Sequence, residues 1–263
     1  MRFTLAQPVT LLCLLSLSPI SAVAADDHRE FSGYIGGGVG MKPNYSGAKD
    51  NKTEFIPAFK LAYGPLFVGG VDDLVALGWN VVKTEHWTFA LGAGTDISPR
   101  EESDDEHLRG LGNIDVTPRA FTSATYENDW FKGGIIATQD IGGNQQGFKL
   151  SSYAHLQWHP MDNLRLYTGP TLSWADSNYL QTQYGVTAAQ SARSGLSRYT
   201  ADAGIEKIGW DVGMDYEVTP SWLLGARVSA QRLQDDAADS PGTQQASQVT
   251  GASFLAWRVE QEG

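Results

Sequence analysis

A two-residue alternation of apolar and polar side chains recurs along the chain from Phe31 to Val259, and it restricts the fold more than any other feature. In residues 147–158, for example, the even-numbered side chains are mostly apolar and the odd-numbered ones mostly polar. A period of two is typical of strands with two different faces, whereas a helix repeats about every 3.6 residues. No convincing amphipathic helix lies between the alternating segments. The pattern therefore predicts an all-β protein.

The lengths of these segments favour strands that cross a membrane. Most contain about ten residues or more, which is what a tilted transmembrane strand requires. The twelve predicted segments are 31–41, 54–63, 66–71, 74–83, 86–97, 113–126, 129–141, 147–159, 163–176, 204–218, 221–233 and 248–259. The two segments between residues 66 and 83 are the weakest, so the sequence is compatible with ten strands as well as twelve.

Short and long connections between the segments alternate. The short connections lie at Gly64, Thr84-Glu85, Glu127-Asn128, Pro160-Met161 and Thr219-Pro220. The long ones are 42–52, 98–112, 177–203 and 234–247, and the exception is a short outer loop at Asp72-Asp73. Outer-membrane barrels have short periplasmic turns and long outer loops. We therefore predict a transmembrane antiparallel up-and-down β-barrel of about twelve strands in the bacterial outer membrane.

Tryptophan residues support a membrane location. Trp87, Trp130, Trp158 and Trp222 each lie within a few residues of a predicted short turn, and Trp257 lies near the chain end. An indole at the headgroup level keeps its ring in the apolar edge and its N–H in water. This placement predicts an aromatic girdle at the periplasmic edge of the barrel.

The first 24 residues have the features of a secretory signal peptide. Met1-Arg2 is a short basic region, residues 11–17 are apolar, and Ala22-Val23-Ala24 is typical of a cleavage site. We predict that residues 1–24 are removed and that residues 25–263 form a single outer-membrane barrel domain. The only cysteine, Cys13, belongs to the removed part, so the exported chain cannot form a disulfide.

The net charge and the motifs argue against several classes of binding partner. A net charge of −11 argues against nucleic acid, which requires a basic face. Glycines between residues 33 and 40 are not followed by a helix, so they do not form a phosphate-binding loop. The acidic run at 101–106 and Asp235-Asp236 offer oxygen ligands that divalent cations could bridge to lipopolysaccharide, although a solvated loop is the simpler interpretation. We assign no cofactor site and no metal site.

A catalytic site is the least favoured alternative. Of the five histidines, only His155 lies in the middle of a predicted strand on its polar face. Ser151 shares that face but is four residues away, too far for a hydrogen bond at about 3.3 Å per residue. We assign no catalytic residue, and a lipid-active barrel enzyme remains the second alternative function.

Charged residues on the polar faces predict a cross-linked interior. The acids predicted to face inward are Glu54, Asp115, Asp140, Asp211, Asp215 and Glu217, and the bases are Lys60, Arg119, Lys132, Lys149, Arg165 and Arg227. Such charges are costly in a narrow barrel unless they are paired. We therefore predict a lumen mostly occluded by ion pairs, with a narrow diffusion channel for small solutes as the alternative.

Several stretches resemble the MipA/OmpV family of outer-membrane proteins, and they occur in the order of that family. They are 43–47, 108–114, 174–179, 184–187, 194–199 and 233–241, which together span most of the chain. One departure is the end of the chain, where Trp257-Arg258-Val259 is followed by four further residues rather than by a terminal aromatic residue.

The resemblance implies a scaffold that interacts with MltA. Such a scaffold links a lytic murein transglycosylase to a murein synthase. On this basis we expect a non-enzymatic outer-membrane barrel that acts as a scaffold or interaction protein. Its expected surroundings are outer-membrane lipid and lipopolysaccharide, and its expected protein partners are the lytic transglycosylase and the murein synthase.

Overall fold

A computed structural model describes residues 31–96 and 99–260, in which twelve β-strands form one closed barrel. The strands are β1 (Phe31–Pro43), β2 (Asn51–Tyr63), β3 (Leu66–Val71), β4 (Leu74–Lys83), β5 (Trp87–Asp96), β6 (Pro118–Glu127), β7 (Phe131–Asp140), β8 (Phe148–Met161), β9 (Leu164–Ala175), β10 (Gly204–Thr219), β11 (Trp222–Leu233) and β12 (Ser247–Glu260). The predicted twelve-stranded barrel is confirmed. The ten-stranded alternative is wrong, because residues 66–83 form two paired strands. The predicted signal peptide, the junction at Ile97 and Ser98, and residues 261–263 lie outside the described residues.

Each strand pairs antiparallel with its neighbour in the sequence, and β12 pairs with β1 to close the barrel. The closing register runs from Ser32 opposite Glu260 to Met41 opposite Gly251. The two strands approach closely because Gly36 has no side chain, and a Cβ atom there would lie 2.1 Å from the Leu255 carbonyl oxygen. The glycines of β1 thus permit close strand packing, and β1 leads into another strand rather than a helix.

Side chains alternate between the outer surface and the interior, as the sequence predicts. The outward side chains of Phe55, Leu77 and Val228 are 73 %, 63 % and 54 % exposed. Inward side chains such as Asp211 and Ser229 are almost completely buried. Apolar side chains therefore face outward and polar ones inward, which is the arrangement of a barrel that is surrounded by lipid.

The five predicted girdle tryptophans are exposed on the outer surface near the short turns and the chain end. They are Trp87, Trp130, Trp158, Trp222 and Trp257, and each is at least 38 % exposed. The Trp222 and Trp257 rings pack edge to face with centroids 5.4 Å apart. An aromatic belt therefore surrounds this end of the barrel.

Several strand boundaries differ from the prediction by a few residues, and at β6 and β8 a proline explains part of the difference. β6 begins at Pro118 instead of residue 113, because the preceding residues belong to the loop and the Ile114 N–H donates to the Arg100 carbonyl at 2.9 Å. β8 continues through Pro160 to Met161, and a register shift between Trp158 and Met161 accommodates the missing proline N–H. The following short turn therefore lies at residues 162–163 rather than at Pro160-Met161.

The expectation that no helix lies between the strands is wrong for the outer loops. They contain α1 (Ser177–Tyr184), α2 (Ala188–Ser194) and α3 (Asp235–Asp239). Asp176 caps α1 by accepting the Tyr179 N–H, and Thr187 and Gln190 form a reciprocal capping box at the start of α2. In the part of the chain that the structure describes, no helix is both long and apolar enough to span a membrane.

The long outer loops pack together into a structure that we call the cap, which comprises residues 44–50, 99–117, 176–203 and 234–246. Two clusters of buried apolar side chains hold it together. The first contains Ala175, Leu180, Tyr184, Ala201, Leu233 and Ala237, and the second contains Tyr45, Ala48, Leu108, Leu111 and Val186. Because these residues come from different loops, the cap forms one packed body at the outer end of the barrel.

The barrel interior beside β3 to β6 is filled by apolar side chains. This inner cluster consists of Phe67, Leu74, Ala76, Ala90 and Phe121. The Phe67 and Phe121 rings have centroids 6.3 Å apart. Gly78 makes room for them, since a Cβ atom at that position would lie 2.3 Å from the Phe67 ring. Open space is therefore confined to the other side of the lumen.

Replacing Phe121 by Ala tests whether this inner cluster stabilises the barrel. We expect the free energy of unfolding to fall by about 3–5 kcal/mol, because a buried aromatic side chain is lost and a cavity remains. Urea titration of the detergent-folded barrel, followed by heat-modifiable gel mobility, measures the change. Phe55→Ala is the matched control, and we expect a smaller loss because lipid or detergent fills the space outside the barrel. Equal losses would contradict the role of the cluster.

Candidate functional site

The open part of the lumen consists of two connected spaces. The larger, which we call the central chamber, has a volume of about 530 Å³. The smaller, called the vestibule, has a volume of about 370 Å³ and lies at the end with the short turns. The two spaces share Tyr34, Arg165, Asp215 and Phe254 as lining residues. These four residues therefore lie at the boundary between them.

A salt bridge crosses the lumen on the outer side of the central chamber. Asp72 and Asp73 form the tip of the β3–β4 hairpin, and both contact the Lys149 ammonium, which lies 2.9 Å from Asp72 Oδ2. The Ser151 hydroxyl also donates to Asp72 Oδ2, at 3.0 Å. Three strands separate β4 from β8 around the barrel wall, so these contacts connect opposite parts of the wall. We call them the transverse bridge.

The cap covers the transverse bridge from the outside. The Tyr179 ring of α1 lies between two cations, with its centroid 5.5 Å from the Arg119 guanidinium carbon and 5.9 Å from the Lys149 ammonium. Arg119 also donates to the Gly147 carbonyl at 2.9 Å. The outer end of the lumen is therefore filled by an aromatic ring and by paired charges.

A buried carboxylate ties the cap to the barrel wall. Glu206, at a bulge in β10, accepts the Tyr184 hydroxyl at 2.9 Å, and Ser46 of the first outer loop contacts the same hydroxyl at 2.8 Å. Ser240 donates to the Tyr184 carbonyl at 2.5 Å. Burial, together with the nearby Glu206 carboxylate, raises the pKa of Tyr184 well above its usual value. The tyrosine therefore stays protonated and keeps its hydrogen bond to Glu206.

The acidic run at 101–106 serves mainly to order its own loop. Glu102 accepts the N–H groups of Gly110 at 2.7 Å and Gly112 at 3.0 Å, and these bonds lower the pKa of its carboxyl group. Asp104 pairs with Lys52 at 2.9 Å. In residues 31–96 and 99–260, no cluster of three or more metal-ligating side chains is present. Cation bridging to lipopolysaccharide stays a prediction.

Two of the acids predicted to face the lumen lie elsewhere. Asp115 belongs to the loop before β6, so the prediction of a strand at 113–117 misplaced it. Asp140 ends β7 at the outer rim, where its carboxylate accepts the Thr117 hydroxyl at 2.7 Å and the Gln146 N–H at 2.9 Å. Asp115 therefore belongs to the cap, and Asp140 contacts the cap through Thr117.

In the middle of the lumen, three side chains contact the carboxylate of Asp211. His155 Nε2 lies 3.2 Å from its Oδ2 atom, the Ser229 hydroxyl donates to Oδ1 at 2.5 Å, and Arg227 Nε lies 3.5 Å from Oδ2. The His155 ring also packs between those of Tyr153 and Tyr167. A serine nucleophile requires the imidazole as its proton acceptor, whereas Ser229 donates to the carboxylate. Ser151, the other serine considered in the sequence analysis, donates to Asp72.

The remaining predicted lumen charges form further contacts toward the short-turn end and along the wall. The pairs are Arg165 with Asp215 and Glu127, Lys132 with Glu127, Arg258 with Glu217, and Lys42 with Glu54. Lys60 lies 5.9 Å from the Phe67 ring centroid. The alternation pattern predicted no lumen contact for Glu127, Glu206 or the Asp72-Asp73 pair. Two adjacent acids in a two-residue turn were the available signal for the last of these.

Comparisons with known proteins find a matching family model and several similar proteins. The family model described as MltA-interacting protein MipA matches residues 35–259. The Escherichia coli (strain K12) protein YiaT, whose name refers to the outer membrane, is 25% identical over 233 residues, which cover 85% of this chain and 89% of YiaT. The NanC porin structure is 12% identical with a TM-score of 0.44 and covers 87% of this chain and 100% of its own. The CymD monoaromatic hydrocarbon channel is 9% identical with a TM-score of 0.41 and covers 89% of each chain.

Replacing Lys149 by Met tests the transverse bridge. The variant leaves Asp72 and Asp73 without the cation that both contact, so we expect the free energy of unfolding to fall by about 3–5 kcal/mol. Urea titration of the folded barrel measures the loss. The matched control is Lys83→Met at the exposed end of β4, for which we expect a change within about 0.5 kcal/mol. Similar losses in the two variants would contradict a special role for Lys149.

Proposed function

The chain belongs to the MipA family and lies in the bacterial outer membrane, and from this premise we propose that it is a non-enzymatic scaffold for periplasmic proteins. The observation that carries the proposal is the difference between the two ends of the lumen. The transverse bridge and the cap fill the outer end, whereas the vestibule opens at the short-turn end. A barrel built in this way offers its periplasmic face for interaction.

We infer that the partners belong to the machinery that degrades and synthesises murein. The description of the family refers to interaction with MltA, and the resemblance in sequence implies a lytic transglycosylase together with a murein synthase. The periplasmic turns carry exposed acids at Glu85, Asp129 and Asp162. We propose that this acidic face contacts basic surfaces of the partners, because complementary charge favours association and orientation.

The surroundings of the barrel follow from its outer surface. We propose that outer-membrane lipid covers the belt of exposed apolar side chains, which includes Phe55, Leu77 and Val228. The cap then lies at the level of lipopolysaccharide. Among residues 31–96 and 99–260, this arrangement leaves the short turns and the vestibule for periplasmic contacts.

The contacts of the serines support a non-enzymatic role. Ser229 and Ser151 both donate to carboxylates, and His155 contacts Asp211 rather than either hydroxyl. Neither hydroxyl therefore has an imidazole to accept its proton.

Affinity capture from envelope extract, followed by mass spectrometry, tests the scaffold proposal. We expect the folded barrel to enrich a lytic transglycosylase and a murein synthase relative to an unrelated barrel of similar size. The double substitution Asp129→Lys and Asp162→Lys reverses two charges on the periplasmic turns, and we expect it to reduce this capture several-fold because it removes charge complementarity.

The matched control for the capture experiment reverses two exposed acids at the other end of the barrel. Asp50→Lys with Glu106→Lys changes the net charge by the same amount, and we expect full capture. If neither enzyme is enriched, or if both double variants reduce capture equally, the proposal of an acidic periplasmic docking face is wrong.

A narrow diffusion channel is the second candidate, because the central chamber and the vestibule adjoin each other along the lumen. Recording from single barrels in planar bilayers separates the two candidates. We expect no steady open level for the native chain, since the transverse bridge and Tyr179 fill the outer end of the path. A stable conducting level, comparable with that of a narrow porin recorded in the same membrane, would favour the channel and count against the scaffold.

A further inference from the structure

The central chamber retains two opposite charges that are still open to solvent. The side chain of Asp73 is 56 % exposed and that of Arg227 is 53 % exposed, although each contacts one partner. Other charged groups in the same chamber are more deeply enclosed, with exposures of 18 % for Asp72 and 2 % for Asp211. Asp73 and Arg227 are therefore the most exposed of the salt-bridged charges that line this chamber, which Lys207 lines as well.

The partners of these two residues are already occupied. The Asp211 oxygen that faces Arg227 also contacts His155, and the contact from Arg227 uses only Nε, at 3.5 Å. The two terminal nitrogens of the guanidinium have no hydrogen bond to the described residues in this structure. Lys149 is shared between Asp73 and Asp72, which lies 2.9 Å from it. Asp73 Oδ1 and the terminal nitrogens of Arg227 therefore keep capacity for hydrogen bonds in one space, which Lys207 also lines.

We propose that the central chamber binds a small zwitterion of amino-acid or dipeptide type. Its carboxylate would contact Arg227, and its ammonium group would contact Asp73. A guanidinium binds a carboxylate through parallel hydrogen bonds, and a carboxylate accepts the hydrogen bonds of an ammonium group. The inference goes beyond the scaffold function and does not depend on it.

The shape of the lumen is consistent with entry from the periplasm. The volume of about 530 Å³ lies within the usual range of ligand pockets, which is about 300–1,000 Å³. The vestibule adjoins the chamber at Tyr34, Phe254 and the Arg165–Asp215 pair. The bridge and the cap close the opposite end. A ligand in this chamber would therefore exchange with the periplasm.

Calorimetric titration of the full barrel in detergent tests the site with three related probes. Alanyl-alanine has both charges, its N-acetyl derivative has only the carboxylate, and its C-terminal amide has only the ammonium group. We expect saturable binding of alanyl-alanine and about tenfold weaker binding of each blocked derivative, because each derivative loses one charged contact.

Two variants assign the charges. In Arg227→Gln the preference for alanyl-alanine over the amide should disappear, and in Asp73→Asn the preference over the N-acetyl derivative should disappear. Both variants leave other contacts in place, since Asp211 keeps His155 and Ser229, and Lys149 keeps Asp72. Heat-modifiable gel mobility checks that each variant is folded.

Arg232→Gln is the matched control, because Arg232 lies on the same strand as Arg227 and on the opposite, outer face. We expect it to leave all three affinities unchanged. The proposal is overturned if alanyl-alanine shows no saturable binding, if the three probes bind equally well, or if Arg227→Gln weakens all three by the same factor. Capture of murein enzymes is measured separately, so its failure would not be confused with these outcomes.

Discussion

Closure of the backbone hydrogen-bond ladder between β1 and β12 is the constraint on which the rest of this structure depends. Inside a membrane no water can satisfy the free N–H and C=O groups of an edge strand, so the sheet must have no edge. The register from Ser32 opposite Glu260 to Met41 opposite Gly251 meets this requirement. Gly36 allows the backbones to approach at the seam. Closure then forces one face of every strand toward lipid and the other toward the lumen.

The interior that closure creates is filled in two physically different ways. Beside β3 to β6 the aromatic rings of Phe67 and Phe121 exclude water, and this side contributes apolar packing. The other side contains charges, and such charges are tolerated only when they are paired. The β3–β4 hairpin takes part in both sides of the interior. Its strands contribute to the apolar cluster, and its tip contacts Lys149 of β8. A short outer loop therefore forms one end of the transverse bridge.

The strands were predictable from the sequence because a period of two reports directly which side chains face lipid. The cap was not, because its residues meet only after the barrel has brought distant loops together. Tyr184 and Ser46, for example, are far apart in the chain, and nothing in their local sequence indicates their contact. The helix α2 was recognisable in principle, since Thr187 and Gln190 have the spacing of a capping box. The pairing of Asp72 with Lys149 could not be derived, because alternation specifies the face of a residue but not its partner across the lumen.

The lumen is filled at its outer end and open at its periplasmic end, and both functional proposals depend on this difference. An open pore needs a path that is polar and free along its whole length. Here the cap places Tyr179 against Lys149, the same residue that forms the transverse bridge. Removing Lys149 or Tyr179 would therefore break contacts in the cap and in the barrel wall together. In the part of the chain that the structure describes, the periplasmic end has no comparable cover, and its vestibule adjoins the central chamber. If the two proposals hold, exchange of small molecules and contact with proteins both take place at the periplasmic end of the barrel.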